Sequence, residues 1–148
     1  PVTPLDDMLS QLRPEDQTIV ITGGEPLMWN MGPLTEALQS AGKRVHLETS
    51  GAYPLTGTWD WICLSPKKTK APRPEWYGVA HELKVIVYNR DDIRWAQEHA
   101  AQCHPGCRLY LQPEWSRRDT SLPMIIEFLE EHPGWRLSLQ THKYIGLP

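Results

Sequence analysis

Thr22-Gly23-Gly24-Glu25-Pro26 is the stretch whose residue types are best suited to chemistry. It follows Thr18-Ile19-Val20-Ile21, a β-branched apolar run expected of a strand buried on both faces. Two glycines allow positive φ and leave no side chain between the main chain and a ligand. Glu25 sets a carboxylate at the strand's C-terminal end, and Pro26 fixes the exit. Ligands of α/β sheets and barrels bind at that end. Gly-Gly alone would serve a plain turn equally well; Glu-Pro tips the reading to a site. A carboxylate beside open carbonyls suits an ammonium group better than a phosphate, which wants N–H donors and a helix N-terminus.

Similar polar groups close the other apolar runs: Glu48-Thr49-Ser50, Ser65 with Lys67, Gln112, and Gln140 with His142. If the strands are parallel, all of them meet on one rim. Other combinations are weaker. Cys103-His104-Pro105-Gly106-Cys107 lacks the second ligand pair of a zinc motif and reads as a loop with two reduced cysteines. Cys63 lies mid-strand and reads as a small core residue. His46, His81, His99 and His132 have no partners at ligand spacing and read as structural or surface residues. Lys67, Lys68 and Lys70 would make a solvated run, except that Lys67 ends a buried strand, where it could face an anion or a ribose. Nucleophile elbow, P-loop and dinucleotide fingerprint are all absent from the sequence.

The elements that must position these residues alternate between two periodicities. Thr3-Pro4-Leu5-Asp6 reads as a helix start, with Leu5, Met8, Leu9 and Leu12 on one face and Arg13-Pro14 as the stop. Pro33 opens a second helix with Leu34, Ala37, Leu38 and Ala41 inward and Gly42 as its C-terminal cap. Strands are expected at 45–51, 61–67, 82–87, 108–113 and 135–140, with a Pro- and Lys-rich loop from Lys68 to about Trp76. Helices are expected from about Asp91 to Gln102, with Ile93, Ala96 and Ala100 buried, and around Leu122–Leu129, the last one, capped near Gly134. The alternation predicts an α/β fold with a mostly parallel sheet.

The chain has 148 residues, 40% hydrophobic and 22% charged, which suits one domain spanning 1–148. A formal net charge of −3 gives no electrostatic ground for a nucleic-acid partner. No apolar run reaches about 18 residues, so no membrane association is expected. A cytoplasmic location is the simplest expectation.

Taken together, the strand ends resemble the radical S-adenosylmethionine (SAM) enzymes, and within them the 7-carboxy-7-deazaguanine synthase family of queuosine and deazapurine biosynthesis. The matching pieces are Ile21–Pro26, Leu47–Gly51, Leu64–Lys67, Glu82–Lys84, Leu111–Pro113 and the tail Arg136–Lys143. Gly-Gly-Glu-Pro marks only the superfamily; Ser-Pro-Lys with a Gln-Thr-His-Lys tail is narrower. The resemblance implies an incomplete, TIM-like (β/α) barrel holding SAM across its open rim. By it, Gly24, Glu25, Ser65, Pro66, Lys67, Gln112, Pro113, Glu114 and Trp115 contact SAM, with Glu114 and Trp115 departing from the family's commonest form. Thr22 and the terminal carboxylate of Pro148 resemble substrate contacts.

Family members open with Cys-x3-Cys-x2-Cys or a variant, which holds a [4Fe–4S] cluster, and use a nearby threonine for Mg²⁺. This sequence carries no such motif, so cluster and Mg²⁺ ligation are not carried onto its residues, and the chain is expected to be N-terminally truncated. The implied reaction is a SAM-dependent radical ring contraction of 6-carboxy-5,6,7,8-tetrahydropterin to 7-carboxy-7-deazaguanine, with loss of ammonia. An electron donor such as flavodoxin or ferredoxin is implied, and a homodimer is compatible with the family. Two rivals share the glycine turn: a glycyl-radical activase, and a SAM-binding module without redox chemistry. The apolar tail Tyr144–Pro148 is expected to pack back over the rim.

Overall fold

The structure, a computed structural model, describes residues 4–147. Six strands form one sheet: β1 (Thr18–Ile21), β2 (Arg44–Thr49), β3 (Trp61–Leu64), β4 (Glu82–Val87), β5 (Arg108–Pro113) and β6 (Trp135–Leu137). Each pairs in parallel with its neighbour in sequence, so the spatial order is simply β1 to β6. Strand twist makes such crossovers right-handed. A constant hand and a constant direction of travel put every crossover on the same face, as in one arc of a (β/α) barrel. A doubly wound sheet would reverse its order midway.

The covered face is the apolar one. Val45, Leu47, Ile62, Leu64, Leu83, Val85, Val87 and Leu111 alternate along β2–β5 and are all 5% exposed or less. Against them pack α2 (Gly32–Ser40), the short α3 (Trp76–Val79), α4 (Arg90–Ala100) and α5 (Arg118–Glu131), which contribute Leu38, Trp76, Ile93, Ala96 and Ile125. Each fully buried large side chain is worth about 1.5–3 kcal/mol in transfer free energy. The opposite face carries His46, Glu48, Glu82, Lys84, Arg108 and Tyr110, none of them in the buried class. Strands β2, β4 and β5 are therefore two-faced, one side apolar and covered, the other polar.

Local signals explain most boundaries. Gly42, at φ +73°, follows α2, and the Lys43 N–H reaches back to the Leu38 carbonyl at 2.9–3.0 Å together with Gly42 to Gln39, the two bonds of a Schellman stop. Asn89 and Asp92 form a capping box at the start of α4. Several expectations need correction. β1 is half-exposed rather than buried, with Val20 52% exposed, because it is the outer strand of the sheet among the described residues. Ala41 is exposed, and Thr35 takes the buried position on α2, its hydroxyl donating to the Met31 and Gly32 carbonyls and accepting from the Thr58 N–H. In α1 (Leu5–Ser10) the residue before the helix is Pro4, and the expected Thr3 cap lies outside the described residues. β6 stops at Leu137, and one more helical turn, α6 (Thr141–Tyr144), follows it. No described helix is long and apolar enough to cross a membrane.

Candidate functional site at the C-terminal rim

The glycine turn leaves β1 at the sheet's C-terminal end. Gly23 has φ +93°, which an L side chain adopts at a cost, and a Cβ on either Gly23 or Gly24 would meet nothing within 4 Å. The turn is thus bare main chain facing open space. Pro26–Met28 then form a single 3-10 turn with Glu25 as its cap.

Glu25 does not reach outward. Its Oε1 accepts from the Thr49 hydroxyl at 2.6 Å and the Leu27 N–H at 3.3 Å. Its Oε2 accepts from the Ser50 N–H at 2.8 Å and from the Ser50 hydroxyl. Four donors fill a carboxylate's roughly four acceptor sites. The side chain therefore staples the end of β1 to the end of β2, and beside it Gly23 and Gly24 remain exposed. In this structure the carboxylate's own acceptor sites are therefore taken up within the chain. The staple is braced by Gly51, at φ +74°, where a Cβ would come within 2.6 Å of Leu64 Cδ1.

Along the rim, Ser65 is buried at 7%, its N–H bonded to the Thr49 carbonyl at 2.7 Å. The Lys67 ammonium reaches back to the Ser65 hydroxyl at 3.3 Å. Desolvation by the surrounding rim, and then the charge of Lys84, hold the pKa of Lys67 below the ordinary lysine value. Lys68 turns away and pairs with the buried carboxylate of Asp92, which also caps α4, so it anchors the loop. On β5, Gln112 is buried at 7% and accepts from the Ser138 hydroxyl at 3.3 Å.

A cavity of about 670 Å³ opens above the polar face, and Thr22, Ser65, Lys67, Gln112 and His142 are on its wall. A smaller one of about 160 Å³ adjoins it and brings Gly23 and Gly24 to Thr22, Ser65 and Lys67. The structure thus unites Thr22, Gly24, Ser65, Lys67 and Gln112. Pro66 is buried behind the wall, and Pro113 is the last residue of β5. Glu114 caps a 3-10 turn, accepting from the Ser116 hydroxyl at 2.5 Å and the Arg117 N–H at 3.1 Å. Trp115 sits under Arg118 and Lys143, 4.5 and 5.4 Å from its ring, with Tyr144 edge-on at 5.1 Å. Neither Glu114 nor Trp115 is on the wall of either cavity.

The described part of the tail is not packed down as expected: Gly146, at φ +72°, ends α6, the Leu147 N–H bonds to the His142 carbonyl at 2.9 Å, and Ile145 and Leu147 are 64% and 58% exposed. Pro148 lies outside the described residues. The cysteines are elsewhere. Cys103 and Cys107 flank the turn entering β5, at the opposite end of the strands from the rim, and Cys63 is buried within β3. Among the described residues, no three His, Cys, Asp or Glu side chains gather to hold a metal ion.

Glu48, Lys84 and Tyr110 also stand on the cavity wall, and none was among the residues singled out as contacts. The signal for them was the period-two alternation of polar residues at His46/Glu48, Glu82/Lys84 and Arg108/Tyr110/Gln112.

No protein-family model matches the chain. It is 50% identical over 148 residues to the 7-carboxy-7-deazaguanine synthase of Flavobacterium psychrophilum, covering all of this chain and 70% of that protein. It is 52% identical over 129 residues to the enzyme of the same name from Synechocystis sp., covering 87% of this chain and 62% of that one. The crystal structure of QueE from Escherichia coli superposes with a TM-score of 0.80 at 29% identity, over 93% of this chain and 64% of that one. The chain thus spans between about three fifths and seven tenths of the length of these proteins. Strand ends, cavity and relatives agree, and the chain belongs to the 7-carboxy-7-deazaguanine synthase family.

Proposed function

We propose that the rim holds SAM and a pterin substrate for the reaction that gives the family its name: ring contraction of 6-carboxy-5,6,7,8-tetrahydropterin to 7-carboxy-7-deazaguanine with loss of ammonia. The observation that carries this is the pair of adjoining cavities, which brings a bare glycine turn, a lysine and several neutral hydrogen-bonding groups to one opening. Its volume falls in the range of small-molecule sites. Membership in the family favours this reading over the activase and over a binding module without redox chemistry.

The residues fit SAM. The open carbonyls of the glycine turn accept an ammonium group, with the negative charge of Glu25 behind them favouring a cation there. Lys67 and Ser65 stand beside that turn, suited to a carboxylate or to ribose hydroxyls. Gln112 and Pro113 border the adenosine side, with Glu114 and Trp115 shaping the loop beyond them. Thr22 faces the larger cavity and the smaller one alike, as a substrate contact would. When bound, SAM supplies the radical chemistry of this lyase; the chain's own task is to orient the reactants and exclude water. Among the described residues no group of three His, Cys, Asp or Glu side chains is assembled that would hold a [4Fe–4S] cluster or Mg²⁺. A flavodoxin- or ferredoxin-type electron donor belongs to this reading, as does a location in the cytoplasm.

Titration calorimetry of the chain with SAM tests the reading. Gly24→Val places its side chain in open space, so it should fold normally yet lose SAM affinity by at least about tenfold, by blocking the approach to the main chain. Equal dissociation constants for the two proteins would move the cofactor elsewhere.

A further inference from the structure

Lys84 is the unusual residue of the polar face. Its side chain is 15% exposed, and its ammonium donates to Glu48 Oε1 at 2.7 Å. The two residues are not neighbours in the sheet. Glu48 of β2 is in register with Cys63 of β3, and Cys63 with Glu82 of β4, so Lys84 reaches across β3 from one pleat higher. Burial works against its charge, but the hydrogen-bonded Glu48 carboxylate beside it lifts its pKa above the ordinary lysine value.

Stability alone is a poor reason for such a pair. A buried ion pair is often no better than well-packed apolar residues of the same volume. This one also lies on the wall of the cavity that Thr22, Lys67 and His142 share. Only Oε1 of Glu48 is engaged; among the described residues no donor reaches Oε2. Glu48 is 38% exposed, so that second oxygen is available to a ligand in the cavity.

We propose that Lys84 is a positioning residue, which fixes the Glu48 carboxylate against the cavity wall with one oxygen presented to an N–H donor of the substrate. The proposal rests on the pterin reading above, since a reduced pterin carries several such donors and a carboxylate is acceptor-only. Without Lys84, Glu48 would keep its charge but not its orientation, because a long side chain on an open face gains rotamer freedom. Lys84 itself touches no ligand in this scheme.

A double-mutant cycle on this chain tests it, read by binding of 6-carboxypterin, a redox-stable analogue followed by its own fluorescence. Lys84→Met and Glu48→Gln should each weaken binding about tenfold. The double variant should be within about twofold of Glu48→Gln, because Lys84 acts only through that carboxylate. Lys84→Arg, which keeps a donor to Glu48, should retain most of the affinity and covers the case in which Lys84→Met folds poorly. Additive losses, about a hundredfold in the double variant, would mean that Lys84 meets the ligand itself, and would overturn the proposal. So would unchanged affinity in Lys84→Met. Failure of the unmodified chain to bind the analogue at all would instead overturn the pterin reading on which the proposal stands.

Discussion

The two halves of the rim are built by different physics. At the β1–β3 end, Glu25, Thr49, Ser50, Gly51 and Ser65 are locked by hydrogen bonds among side chains and main chain, and Gly51 packs against Leu64 with no room for a methyl group. At the β5–β6 end, Trp115, Arg118, Lys143 and Tyr144 meet through cation–π and edge-on contacts beside an exposed apolar tail. Directional bonds to the main chain fix positions to fractions of an ångström. Aromatic and cationic contacts at a surface hold a neighbourhood together while leaving its members free to shift. The first half is made to receive one part of one ligand; the second can adjust as a ligand enters.

That contrast should appear first in stability. Glu25→Ala strips four donors of their acceptor at once, and removing the acceptor of a charge-assisted bond is costly. We expect about 2–4 kcal/mol lost in urea unfolding, with a fall in midpoint at constant slope. A loss below about 0.5 kcal/mol would show that water replaces the staple freely and that the first half is no stiffer than the second. Trp115→Ala removes contacts at a partly exposed site, worth about 0.5–1.5 kcal/mol together. Its larger effect should be on exchange: amides of Thr141–Leu147 should lose hydrogen-exchange protection while those of Thr49–Gly51 stay unchanged. Equal changes at both ends would erase the distinction. The smallest effect is a proton. The pKa of Lys67 is held down by desolvation and by Lys84, so an anionic ligand group beside it should draw that pKa back up. SAM binding should then take up a fraction of a proton, more as the pH rises from neutrality towards lysine's ordinary range. Calorimetry in buffers of different ionisation enthalpy reads this directly, and Lys67→Met should abolish it.

The same contrast explains what the sequence disclosed. Apolar periodicity and end signals located all six strands, since Val45-x-Leu47 or Leu83-x-Val85-x-Val87 has few other uses in a soluble chain. Glycines and prolines located the turns for the same reason. The burial of β1 was misjudged because β-branched residues suit an outer strand as well as a central one. The short α3 hid in a Pro-rich loop because Trp76 and Tyr77 are held by tertiary burial, at 0% and 6% exposure, not by helical periodicity. In the site, residue types told which strand ends matter, but not where side chains point. Glu25 carries the charge expected of an ammonium site, yet Thr49 and Ser50, more than twenty residues away, take its oxygens. Glu48 and Lys84 become partners only across β3, a relation that local spacing does not contain.

The unbroken strand order has a consequence for how the molecule comes into being. Among the described residues each strand from β2 onward pairs with the one made just before it, so each new β unit can dock on its predecessor as it leaves the ribosome. Among parallel sheets this keeps loop-closure entropy low and folding correspondingly direct. A chain wound in this way lengthens by accretion, with the strand ends from β1 to β6 joining the rim in the order of their synthesis.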